Sequence, residues 1–161
     1  MQIDPLLDIT RNTLERIDYG FLVTPATDGP DARLVKHLEV DDDFGVWFGT
    51  SAHSRKARQI ATGSPASFAV EDRPNFAYVA LKGRAAVVPD LSARREHWQE
   101  GLGMFFPNGP ESEDFTLIRL ATDRIEIMSF AAKVHPEPFG LVPAVLDRSA
   151  TGWALRDAER Y

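Results

Sequence analysis

The run NFAYVALKGRAAVV, residues 75 to 88, limits what this chain can become more than any other stretch. Its aromatic and β-branched residues suit a sheet, but it is long for one strand. Gly83 in its middle marks a bulge or sharp bend, the device by which a sheet curls into a barrel. The flanking segments supply the other strands. YGFLVTP, the turn-rich ATDGPD and ARLVKHLEV predict a hairpin, and the acidic turn DDD leads into FGVWFGT. ASFAVED gives a further strand before the turn DRPN, and FTLIRLATDRIEIMSF gives a strand pair or one bent strand. Helical patterns are few. Residues 5 to 17 place Leu6, Leu7, Thr10, Leu14 and Ile17 near one face and end at Gly20; a short helix runs from Ser54 to Thr62; SARREHWQE is capped by Ser92. Strands and helices do not alternate as a parallel sheet requires. The order therefore predicts a mainly β fold, an antiparallel barrel with a few peripheral helices, formed by one domain over residues 1–161. Residues from about 133 form a C-terminal extension, expected to wrap the surface or a partner subunit because PFGLVPAVL is too apolar for a free tail.

Several chemistries are excluded by residue type and spacing. The chain has no cysteine, so disulfides, thiolate metal sites and a cysteine nucleophile are ruled out, which suits a reducing compartment such as the cytoplasm. His37, His53, His97 and His135 lack the short spacing that puts two imidazoles on one face, so no metal site is expected. Asp41, Asp42 and Asp43 lack the spaced ligands and terminal Glu of a calcium loop and read as a solvated turn. No Gly-x-Ser-x-Gly elbow or Ser-x-x-Lys is present, and Gly101 and Gly103 lack the third glycine and the preceding strand of a dinucleotide fingerprint. No catalytic side chain is therefore assigned. The N-terminus has no basic start followed by an apolar run, and no segment approaches the roughly 20 apolar residues of a membrane span. A net charge of -6 argues against nucleic acid as a partner.

One cationic constellation runs against that acidic balance. TSAHSRKARQI gathers Arg55, Lys56 and Arg58 at the start of a helix capped by Ser54, where the peptide dipoles already disfavour positive charge. If ARLVKHLEV pairs with FGVWFGT through the DDD turn, Arg33 lies opposite the end of that strand, and Lys36 belongs to the same basic group. With the hydroxyls of Thr50 and Ser54, such a set binds a phosphate dianion through charge-assisted hydrogen bonds; the alternative is a solvated basic surface paired with the chain's own carboxylates.

The stretch ARLVKHLEVDDDFGVWFGTSAHSRKARQI resembles the flavin-binding segment of the pyridoxamine 5'-phosphate oxidase-like family, and WQEGLGMFFPNGPESEDFTLIRL is similar to its general stress protein branch. The resemblance covers roughly residues 15 to 130. It implies a split β-barrel homodimer with FMN in clefts between subunits. By this similarity Arg33, Ser54, Arg55 and Lys56 bind the FMN phosphate, and Thr50 lies against the ribityl chain or phosphate. The backbone around Leu34, Val35 and Lys36 meets the isoalloxazine edge, and Tyr78 is contributed by the second subunit. Trp98 and Phe106 cover the ring from that same subunit or belong to the core. Two departures bear on activity: Leu38 stands where the oxidase carries a lysine, and the oxidase's C-terminal Arg-Leu-His-x-Arg segment is missing. The resemblance thus implies a flavin-dependent oxidoreductase other than pyridoxamine phosphate oxidase itself. It leaves open a flavin-binding stress protein without turnover, FAD in place of FMN, and a deazaflavin- or haem-binding relative.

Overall fold

The computed structural model describes residues 1–134 and 142–157. Within them, one antiparallel sheet is built from β1 (Tyr19–Thr24), β2 (Asp31–Lys36), β3 (Glu39–Val40), β4 (Val46–Ser51), β5 (Ser64–Asp72), β6 (Ala77–Val88), β7 (Phe115–Ser129), β8 (Ala144–Ser149) and β9 (Gly152–Leu155). Helices α1 (Ile3–Arg16), α2 (Arg55–Ile60) and α3 (Leu91–Glu96) accompany it. The strand order is β2-β1-β5-β6-β7-β4-β3, with β8 and β9 attached beyond β7. The two ends of that order are consecutive in the chain. The His37 N–H donates to the Asp18 carbonyl (3.1 Å), and the Leu38 N–H donates to the Trp47 carbonyl (2.7 Å). Successive N–H groups of a strand point to opposite sides, so one extended segment pairs with β1 through its first half and with β4 through its second. This handover closes the sheet into an antiparallel split β-barrel, the fold the sequence predicts.

The handover also corrects the expected hairpin. Pairing through the DDD turn is confined to Glu39 with Trp47 and Val40 with Val46, whereas Arg33 lies opposite Leu22 of β1. Two further boundaries differ. Gly20 lies inside β1, where a Cβ would overlap the Ala69 carbonyl oxygen and the Phe68 ring, so its role is close approach between strands and α1 ends earlier, at Arg16. Helix α3 begins after Asp90, which places Ser92 in its first turn instead of at its cap.

β4 alternates strictly, with Val46, Phe48 and Thr50 buried and the residues between them partly exposed. Its inward residues join Leu22, Phe68, Leu81, Ile118 and Ile125 in the main core, which α1 covers with Leu6 and Leu14. Each such fully buried side chain contributes about 1.5–3 kcal/mol. Thr10, also buried on α1, satisfies its hydroxyl by donating to the Leu6 carbonyl at 2.8 Å. A second, small core forms where the segment after α3 folds over the other face of β4, with Phe106, Phe115 and Leu117 at its centre.

β7 is a single long strand, the bent alternative of the two readings, and its register against β6 shifts between Lys82 and Gly83. A Cβ at Gly83 would overlap the Ala121 carbonyl, so the bulge requires glycine there. The expectation for the extension beyond Lys133 is that it wraps the surface or a partner. Its described part instead forms the β8–β9 hairpin, which pairs with β7 from Arg124 to Ile127. Residues 135–141, which include His135 and most of the PFGLV run, lie outside the described residues.

Candidate functional site

Arg33 is carried by β2, Thr50 by β4, and Arg55 and Lys56 by the first turn of α2, yet these residues meet at one end of the barrel. The junction between β4 and α2 is fixed by Ser54. Its Oγ accepts the Ala57 N–H (3.2 Å) and the Thr50 hydroxyl (3.1 Å), which leaves the Ser54 hydroxyl proton available to donate. Arg33 is oriented by the Leu22 carbonyl (3.2 Å), the Thr24 hydroxyl (2.7 Å) and the Gln59 side-chain oxygen (3.2 Å). Asp31 lies 3.8 Å from Arg33 and 3.4 Å from Arg55, and it accepts a hydrogen bond from the Gln59 amide at 2.7 Å.

The electrostatics of the cluster are unbalanced. Burial pushes the Arg33 pKa down, and Asp31 offsets this while Arg55 adds to it. Burial also lowers Lys56, and the positive charge of Arg33 lowers it further. Asp31 therefore compensates the two arginines, whereas the Lys56 ammonium has no carboxylate or hydrogen-bond partner among the described residues. A second polar group is also unpartnered: Thr116, directly opposite Thr50 on β7, has a buried hydroxyl without a hydrogen bond. A phosphate dianion matches this set, because it would relieve the repulsion among the cations and accept from the free donors. The residues present thus fit the phosphate of a flavin nucleotide.

Sequence reasoning missed Asp31, Gln59, Thr24 and Thr116. Two of these had a readable signal, since Asp31 shares a strand face with Arg33 at a spacing of two, and Gln59 shares a helix face with Arg55 at a spacing of four. Thr24 and Thr116 reach the cluster through strand pairing alone, which no local pattern reveals.

The other named residues lie elsewhere. Lys36 extends toward Asp18 at 3.8 Å, at the opposite end of β2, and does not join the basic cluster. Leu34 points to the outer face and is 61% exposed; Val35 is partly buried against the main core. Tyr78 lies on the outer face of β6 and donates to Glu126 at 2.7 Å. Phe106 is buried with its ring 5.0 Å from Phe115, and Trp98 meets the same ring edge-on at 5.1 Å, so both belong to the small core of this chain. Leu38 packs toward that small core as well, so its replacement of the oxidase lysine leaves the Arg33–Lys56 cluster intact. Among the described residues no group of His, Asp and Glu side chains is arranged to hold a metal ion. No described helix is long and apolar enough to cross a membrane.

A family model described as pyridoxamine 5'-phosphate oxidase like matches residues 7–133. A search of curated proteins finds no match. Among solved structures, a Clostridium acetobutylicum protein related to general stress protein 26 of B. subtilis superposes with a TM-score of 0.72 at 17% identity, covering 81% of this chain and 92% of its own. A general stress FMN/FAD binding protein from Xanthomonas citri gives 0.70 at 19% identity, with 79% and 90% covered. A pyridoxamine 5'-phosphate oxidase-related, FMN binding protein from Nostoc punctiforme gives 0.68 at 17% identity and covers both chains completely.

Proposed function

The chain belongs to the pyridoxamine 5'-phosphate oxidase-like family, and from that premise we propose that it is an FMN-dependent oxidoreductase acting on a small molecule as a cytoplasmic homodimer. The observation that carries this reading is the convergence of Arg33, Arg55 and Lys56 around donors without an internal acceptor, with Lys56 unpaired. Arg33 and Lys56 hold the phosphate, Ser54 donates its free hydroxyl proton to it, and Arg55 turns between Asp31 and the ligand. Thr50 keeps Ser54 in place. Bound flavin supplies hydride chemistry; the protein supplies binding, orientation and exclusion of water. The dimer reading is supported by the outer face of β1 and β2, where Phe21 and Leu34 are directly opposed and more than half exposed beside Tyr19. Apolar clusters of this kind on a sheet face mark interaction surfaces.

The test is titration with FMN. Wild-type protein should carry or take up FMN with the visible absorbance of a flavin. Replacement of Arg55 and Lys56 together by alanine should weaken FMN affinity by about tenfold or more, since charge-assisted hydrogen bonds contribute roughly 1.5–3 kcal/mol each. Protein that stays colourless and takes up no FMN sinks the reading. Reduction of the bound flavin by NADH or NADPH separates an enzyme from a binding protein, and mass spectrometry of the extracted ligand separates FMN from FAD, deazaflavin and haem.

A further inference from the structure

The bulge between β6 and β7 gathers a second set of cations that the flavin site does not use. Register passes from Lys82 opposite Arg124 to Gly83 opposite Thr122, so Asp123 is the extra residue on β7. The extra residue breaks the alternation of that strand and puts the consecutive side chains of Asp123 and Arg124 on the same outer face as Lys82 and Arg84. Together they line a groove of about 620 Å³. Arg124 is held by Asp147 at 2.8 Å, and the nearby Asp123 adds to its compensation. Lys82 and Arg84 are different. Neither side chain makes a hydrogen bond or ion pair with any described residue, and Arg84 is the one described arginine of which this is true. In a chain of net charge -6, whose other described arginines are all engaged, this pair is available to something outside the chain, apart from Lys56 in the first cluster.

The rest of the groove narrows the chemistry. Pro25, Pro30 and Pro65 form a rigid apolar rim, and the Ser67 hydroxyl adds a donor. An apolar wall beside two unpaired cations suits a flat heteroaromatic ring that bears a phosphate. Thr24, which borders the groove, accepts the hydrogen bond from Arg33, so a single buried residue lies between the groove and the Arg33 cluster.

We propose that the groove at the β6–β7 bulge is a second phosphate subsite, in which Lys82 and Arg84 bind the adenylate phosphate of a dinucleotide. For its neighbour the proposal rests on the flavin reading. The adenylate can come from two sources, the cofactor itself as FAD or a separate reducing dinucleotide, and the experiment distinguishes them.

FMN, FAD, AMP and NADPH are titrated into wild-type protein and into a Lys82→Ala/Arg84→Ala variant by calorimetry. Both side chains are exposed, so the variant should fold, which an unchanged melting temperature verifies. FMN affinity should stay within about twofold, because the Arg33 cluster is untouched, and the adenylate-bearing ligand should lose about tenfold or more. Loss confined to FAD assigns the groove to the cofactor; loss of AMP and NADPH assigns it to a separate dinucleotide. Removal of the opposing carboxylate by Asp123→Asn should tighten the same ligand a few-fold. Identical affinities for FAD, AMP and NADPH in both proteins, or no binding of any of them, overturns the proposal. Failure of wild-type protein to bind FMN sinks the flavin reading instead, and the AMP titration still judges the groove.

Discussion

At the scale of single residues, Asp31 decides how the phosphate cluster behaves with and without its ligand. It is the internal substitute for an anion, since it lies within ion-pair distance of both Arg33 and Arg55 and accepts from Gln59. Removing it should therefore have opposite effects on the two states. In ligand-free protein, Asp31→Asn leaves Arg33 and Arg55 to repel each other and Lys56, and should lower stability by about 1 kcal/mol, the usual worth of a partly exposed charged hydrogen-bond network. With FMN present the competing carboxylate is gone, so binding should tighten and the ligand-induced rise in melting temperature should exceed that of wild type. Thermal melts of both proteins with and without FMN check this. An Asp31→Asn protein that binds FMN more weakly would show that the carboxylate orients the arginines for the ligand instead of competing with it. Lys56 gives the complementary case: because it is partly desolvated and unpaired, Lys56→Met should leave ligand-free stability unchanged or raised while FMN affinity falls.

At the scale of elements, the turn and the bulge carry the fold, and they differ in how far local sequence reveals them. The DDD turn reads as solvated, and Asp42 and Asp43 are exposed. Asp41 is instead its centre. It accepts from the Gly45 N–H (2.7 Å), the Asp43 N–H (3.0 Å), the Trp47 indole (3.1 Å) and Arg119 (2.9 Å). The Arg119 partner comes from β7, far along the chain, so no local pattern announces it. Burial pushes the Asp41 carboxyl up, but the Gly45 amide, Arg119 and Trp47 outweigh it and hold the pKa below its ordinary value. A carboxyl whose pKa is depressed on folding stabilises the protein above its unfolded pKa and loses that contribution as pH falls through the folded value. Asp41→Asn should thus lower stability at neutral pH by about 2 kcal/mol and flatten the acid limb of a stability profile, which denaturant melts between neutral and acidic pH measure. Gly83, by contrast, is legible as a bulge, because a glycine inside a strand packs no side chain and weakens the strand unless the backbone there must bend or approach a neighbour closely. Gly83→Ala should cost about 3 kcal/mol or more, read as a collapse in melting temperature or soluble yield, since backbone instead of a flexible side chain blocks the new Cβ. The same contrast holds across the molecule. Strand runs, Ser54 and the Arg55–Lys56 pair follow from period and residue type, whereas the move of Lys36 to Asp18 and the packing of Trp98 and Phe106 against Phe115 are set by partners distant in sequence.

At the scale of the whole molecule, the split of the barrel explains why a site at one end and an apolar face on the side go together. β2 pairs with β1 along its whole length before the chain crosses to β4 through β3, so its inward residues run from Arg33 at the polar end to Val35 on the main core, while its outward residues extend the broad face of β1. That face presents Tyr19, Phe21 and Leu34 to solvent, at 55%, 53% and 61% exposure. Three large apolar side chains on adjacent strands are costly to leave hydrated, and a second copy of the chain placed there would cover them and lie beside the phosphate cluster. The two properties should then fail together. Leu34→Glu puts a charge into the centre of the face without touching any residue proposed to hold the phosphate, and Phe21→Glu does the same from β1. Sedimentation should find wild type dimeric and each variant monomeric, with the melting temperature of the isolated barrel largely kept. On the proposed homodimer, FMN affinity should drop by about tenfold or more in both, because each cleft would lose the wall assigned to the other subunit. Variants that become monomeric yet bind FMN as wild type does would confine the cofactor site to one chain, and the exposed face would then need another partner.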